Sequence, residues 1–178
     1  MTKSYRQAAV HMDLARQLNP SDSWTLMASG LCLGYCGYLD LASDLANQSL
    51  SLTLSPTRLH WAYQVQLAFQ VQLAFLRGDC AGAVAAADRA QGVMLGMGAW
   101  RAAALANLGQ DREARQKARH FLDAARSSWF GQEPPTDAAI GRWLLHKLPI
   151  SSEAQWTRLR DSVAAAGIPS GGACHHGW

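Results

Sequence analysis

The sequence predicts an all-α fold of antiparallel helical hairpins, and three observations predict it. A glycine precedes an alanine by five residues at three places, Gly37–Ala42, Gly78–Ala83 and Gly109–Ala114, each lying between two apolar segments. Proline closes successive segments at Pro20 and Pro56, 36 residues apart. Hydrophobic residues make up 49% of the 178-residue chain and charged residues 16%, a balance that buries helices on more than one side. Recurrent breaks of this kind mark stacked units, each of which buries its apolar face against the next.

The elements follow in order. Ser4–Leu18 carries Ala8, Met12 and Ala15 at helical spacing and stops at Asn19-Pro20, because proline cannot continue the hydrogen-bond ladder. Ser21-Asp22 offers caps for a helix from Ser23 to Cys36. Gly37 breaks it, and Tyr38–Leu54 resumes with Leu41, Leu45 and Leu52 until Ser55-Pro56. Residues 57–76 then pair with Ala81–Ala90 across Gly78-Asp79, and residues 97–108 pair with Arg112–Arg126 across Gly109-Gln110-Asp111. Glycine takes the left-handed turn at a helix end, and the small alanine lets the returning helix come close. Ser152 and Gln155 predict a capping box for a last helix with the stripe Trp156, Leu159 and Val163, ended by Gly167 and Pro169.

One segment pulls the other way. From Tyr63 to Phe75 the odd positions are aromatic or aliphatic, and the even ones are Gln or Ala, which is the period of a strand. A strand of that length exceeds the usual 5–6 residues, and no partner strand is evident. A central helix packed on both sides suits the same residues, so helix is the expectation.

The pattern of glycine, alanine five on, and small or apolar residues four and seven further resembles the tetratricopeptide repeat. Ala42-Ala46-Ser49 and Ala83-Ala87-Ala90 fit that run, and Ala114-Ala118-Phe121 fits with Phe in place of a small residue. Ala8-Met12-Ala15 with Pro20 is similar to the second helix of a repeat whose first helix is absent. The glycine spacings are 41 and 31 rather than about 34, and the Trp, Leu-Gly and Tyr positions of the first helices are poorly kept. Leu144–Pro149, followed by Ser151–Pro169, resembles the closing segment of bacterial adenylate-cyclase-type and transcriptional regulator proteins with C-terminal repeat domains. The resemblance implies a right-handed superhelix of about three repeats plus a leading half-repeat. These occupy residues 1–169, with 135–169 as a C-terminal cap over the open end of the stack and 170–178 as a flexible tail.

Composition narrows the function class. A net charge of +3, arising in residues 77–178, is too small to imply nucleic acid. The basic run Arg112, Arg115, Lys117, Arg119 and Arg126 is interrupted by acids and reads as a solvated face, with Glu113 and Lys117 spaced to pair. Residues 59–76 are uncharged, but four glutamines and His60 make a membrane span costly. The N-terminal stretch lacks the apolar core of a signal peptide, and Cys32, Cys36, Cys80 and Cys174 lack the density of a secreted scaffold. A reducing, cytoplasmic setting is expected.

No site of chemistry emerges. Cys32 and Cys36 share a helix face but are two ligands where structural zinc needs four, and they read as buried apolar cysteines. Cys174-His175-His176 lies in a glycine-rich tail without fixed geometry. Nucleophile elbow, phosphate loop, dinucleotide fingerprint and metalloprotease motifs are all missing from the sequence. Histidines 11, 60, 120 and 146 are scattered, and most of the tryptophans are assigned to core packing. No catalytic residue, metal or cofactor is expected.

By register with the repeat family, Trp24, Met27, Leu31 and Tyr35 fall on the groove face, and Gln72 and Asn107 complete the expected partner-binding set. The resemblance therefore implies a non-enzymatic module binding a protein or peptide through a concave groove. Its apolar character, in place of the Lys and Asn clamp of chaperone-binding relatives, implies an apolar peptide, a neighbouring domain or a second copy of this chain as the ligand. Because the chain opens mid-repeat, it is expected to be a fragment or to self-associate through that open face. The alternative is a ligand-sensing domain of a bacterial regulator.

Overall fold

The computed structural model describes residues 4–53, 60–90, 92, 94–131 and 133–175. Among the described residues the fold is all-helical, with nine helices and no strand. They are α1 (Tyr5–Leu18), α2 (Ser23–Tyr35), α3 (Leu39–Leu52), α4 (His60–Arg77), α5 (Cys80–Arg89), α6 (Met97–Asn107), α7 (Asp111–Ser127), α8 (Asp137–His146) and α9 (Glu153–Ala165). The proposed stop at Ser55-Pro56 and the start of the following segment lie outside the described residues, as do His176 to Trp178.

Three hairpins form the body: α2 with α3, α4 with α5, and α6 with α7. Each turn is made the same way. Gly37, Gly78 and Gly109 have φ of +96°, +89° and +72°. The next amide in each turn donates five residues back, Tyr38 to Leu33, Asp79 to Ala74 and Gln110 to Leu105, at 2.9–3.0 Å. This is the Schellman closure, in which a left-handed residue lets the chain satisfy the last carbonyls of a helix. Ala42, Ala83 and Ala114 are each 0% exposed, so the small residue sits where the hairpin is tightest. Asp22 and Asp79 cap the N-termini of α2 and α5 by accepting from Thr25 N (2.7 Å) and Gly82 N (2.8 Å).

Hairpins stack in sequence order, α1 on α2, α3 on α4 and α5 on α6, and α2, α4 and α6 form one inner row. Gly34 makes room between α2 and α4. A Cβ there would lie 2.2 Å from Leu73 Cδ2 and 3.4 Å from Ala42 Cβ. The segment with strand-like alternation is the central helix α4, with Leu67, Ala68, Val71 and Phe75 all at 0% exposure. Two of its buried glutamines meet polar partners on neighbouring segments. Gln66 Oε1 accepts from Thr53 Oγ1 at 2.8 Å, and Gln72 Oε1 accepts from the Tyr35 hydroxyl. A helix with neighbours on both sides buries residues of both parities, so period alone misreads it.

The C-terminal part holds the expected last helix and one more. Helix α8, which the sequence reading did not single out, is capped by Thr136 Oγ1 accepting from Ala139 N (3.2 Å) and packs on α7. Helix α9 packs mainly on α6, crossing the C-terminal ends of the inner row. Ser151 N donates to Tyr35 O at the end of α2 (2.8 Å), Arg158 Nη2 to Phe75 O and Leu76 O in α4 (2.6 and 2.7 Å), and Asn107 Nδ2 of α6 to Ser162 Oγ (2.6 Å). Thirteen residues at about 1.5 Å rise give a helix ~20 Å long, which matches two interhelical spacings of ~8–10 Å. The capping box is half made: Ser152 Oγ accepts from Gln155 N, but Gln155 Nε2 turns to Leu76 O (3.4 Å). Leu76 O, at the end of α4, thus accepts from both Gln155 and Arg158.

Candidate interaction face

Helices α2 and α4 lie side by side in a register of 37 residues. Trp24 and Trp61 stack at one end with ring centroids 5.1 Å apart, and Tyr35 bonds to Gln72 at the other. Both pairs differ by 37 positions, so the pairing extends along the whole inner face of the first two hairpins. The glycine-to-glycine spacing of 41 is four residues longer, which is one helical turn added to the end of α4. A whole turn leaves the facing residues unchanged. It also carries the carbonyls of Phe75 and Leu76 out to where Arg158 meets them.

On α2 the stripe is Trp24, Ala28, Leu31 and Tyr35, and on α4 it is Trp61, Val65 and Phe69. The steps within each set are three or four residues, so each set lies on one helix face. Trp24 is 37% and Trp61 60% exposed, Leu31, Val65 and Phe69 are half-buried, and Tyr35 is buried. Two large aromatic side chains exposed side by side at the end of such a stripe are a feature of interaction surfaces.

The expected set of six divides. Trp24, Leu31, Tyr35 and Gln72 come together on this face, with Tyr35 and Gln72 spent on each other. Met27 is 3% exposed and lies in the interior. Asn107 donates to Ser162 Oγ and to Ala103 O (2.8 Å), which ties α6 to α9 and leaves it in that contact. Trp61, Val65 and Phe69 were missed. The signal for them was the repeat period itself, since adding 37 to Trp24, Ala28 and Cys32 reaches all three.

Electrostatics on this face favour neutral groups. Burial pushes the Tyr35 hydroxyl up from its ordinary value. Burial, with Cys32 adding to it, pushes the Cys36 thiol up to about 11. Such groups stay protonated at neutral pH, and the face is built for packing. Elsewhere Arg101 holds Asp88 (2.6 Å) and Glu113 (3.1 Å), so Glu113 ties α7 to α6 in place of the expected pairing with Lys117.

Two further apolar features lie apart from it. Val10, Leu14 and Leu18, four residues apart on α1, are 61%, 50% and 71% exposed. Trp129 and Trp143 meet edge to face near Phe130, with Lys147 Nζ 3.7 Å from the Trp143 ring centroid. Trp100 and Trp156 are core residues as expected, whereas Trp61 and Trp143 are exposed. Among the described residues no group of three or more His, Cys, Asp or Glu converges as a metal site. Of the tail, Cys174 N donates to His146 Nε2 (3.4 Å) and the His175 ring meets Ile150 O (2.8 Å). No described helix is long and apolar enough to cross a membrane. The chain matches no protein-family model, no curated protein and no solved structure.

Proposed function

We propose that the chain is a tetratricopeptide-like array acting as a non-enzymatic interaction module, and that a partner protein or peptide segment lies along the α2/α4 face. The observation that carries this reading is the doubled apolar stripe, with two solvent-exposed tryptophans stacked at its open end. Large aromatic side chains of this kind supply most of the energy where a protein surface is bound, at roughly 2 kcal/mol or more each. The right-handed superhelix and a cytoplasmic setting belong to the same proposal, and both rest on the sequence pattern.

The test is affinity capture followed by mass spectrometry, run with the natural chain and with Trp24→Ala and Trp61→Ala. Both variants are expected to lose the captured partner while keeping full helicity by circular dichroism. Retention of every partner by both variants refutes the α2/α4 face. A second reading, self-association through α1, is favoured by the stripe Val10, Leu14 and Leu18. Sedimentation of the natural chain as a monomer at all concentrations would dismiss it, and Leu14→Lys is expected to abolish any dimer.

A further inference from the structure

Where the C-terminal segment folds back on the first hairpin, four separate parts of the chain line an open cavity of about 310 Å³. Tyr5 and Ala8 of α1 form one wall, and Leu31, Cys32, Tyr35 and Cys36 of α2 form the floor. Phe69 of α4 and Pro149, just before Ser151, close the far side. The volume falls at the lower end of the range for small-molecule sites.

The polar groups in the walls already have partners. The Tyr5 hydroxyl donates to Ile150 O at 3.4 Å, the Tyr35 hydroxyl to Gln72, and the Cys36 thiol to Tyr5 O at 3.4 Å. What remains facing the space is carbon and sulfur. A charged or strongly hydrogen-bonding ligand would lose its water and recover nothing. An uncharged hydrocarbon-like ligand would exchange water contact for packing against Leu31, Phe69 and Pro149.

We infer that this cavity is a binding site for a small, uncharged, largely hydrocarbon molecule. Its walls join α1 and α2 to the segment Leu148–Ser151, so a bound molecule fastens the C-terminal segment to the first hairpin. The cavity shares Ala28, Leu31, Tyr35 and Phe69 with the proposed partner face, whereas Trp24 and Trp61 lie outside it, so the two readings are tested at different residues.

Naphthalene and 2-naphthalenesulfonate, alike in ring and different in charge, make the probe pair. Naphthalene is expected to raise the melting temperature by about 3–5 °C at tenfold excess over its Kd. It is also expected to slow alkylation of Cys32 and Cys36 several-fold at pH 9, read by peptide mass mapping, with Cys174 as the internal control. The sulfonate is expected to do neither. Ala8→Trp, which fills the cavity, is expected to abolish both effects. Ala28→Trp, at the exposed mouth, does the same without touching the core, and it decides the matter if Ala8→Trp does not fold. The inference is overturned if naphthalene gives no saturable shift, if the sulfonate binds as well, or if the filled variant still responds.

Discussion

Replacing Arg158 by alanine tests how α9 is held across the row of helix ends. Its guanidinium donates to Phe75 O, which also accepts from Gly78 N (2.9 Å), and to Leu76 O, both in the last turn of α4. It also lies 5.4 Å from the Phe75 ring centroid. A hydrogen bond to a charged group nets about 1.5–3 kcal/mol, and these carbonyls regain some water when the side chain is cut back. The expected loss is therefore about 2–3 kcal/mol rather than the sum of both bonds. For a chain of this size that lowers the melting temperature by roughly 5–10 °C. Thermal and urea unfolding followed by circular dichroism measure it, and amide exchange should quicken at the end of α4 and in α9. Arg158→Lys keeps a charge without the planar fork and is expected to recover about half. A loss below about 0.5 kcal/mol for the alanine variant, the range of an ordinary surface substitution, would refute the bracing role.

Three other outcomes follow from particular contacts. Gly141→Ala places a Cβ 1.8 Å from Pro169 O, a backbone atom that cannot swing aside, so a loss of about 3 kcal/mol is expected; an unchanged urea midpoint would show that residues 168–169 do not pack on α8. Trp24→Ala and Trp61→Ala each cost under about 1 kcal/mol of stability, because both rings are substantially exposed; a larger loss in urea unfolding would place them in the core instead of on a binding face. The Cys36 thiol is raised from 9.0 to about 11, so the folded chain holds its proton more tightly than the unfolded chain. Its contribution is complete below pH 9 and is lost as pH rises towards 11. The melting temperature should fall over that window, and it should fall less in Cys36→Ala.

The hairpin turns were legible because each is decided within about six residues. A glycine free to take positive φ, a donor five residues from its carbonyl and an alanine one turn later suffice, and Gly37, Gly78 and Gly109 all behave alike. Half of the face was legible for the same reason, since Trp24, Leu31 and Tyr35 lie on one stripe of one helix. Its partner stripe on α4 was hidden by the alternating pattern from Tyr63 to Phe75. That pattern arises because buried glutamines bond sideways to Thr53 and Tyr35. Asn107 was misplaced because its partner, Ser162, is 55 residues away in sequence.

The sequence by itself determined the all-helical class, the three turns, and the caps at Asp22 and Ser152, because these depend on backbone conformation and on neighbours in the chain. Only the tertiary structure decided the 37-residue register of α2 and α4, the course of α9 across the helix ends, and the cavity behind Leu31. Each of these depends on how far one helix outruns another and on which helix-end carbonyl lies within reach. One extra turn at the end of α4 leaves the local pattern unchanged, yet it sets where Arg158 and Gln155 find their acceptors.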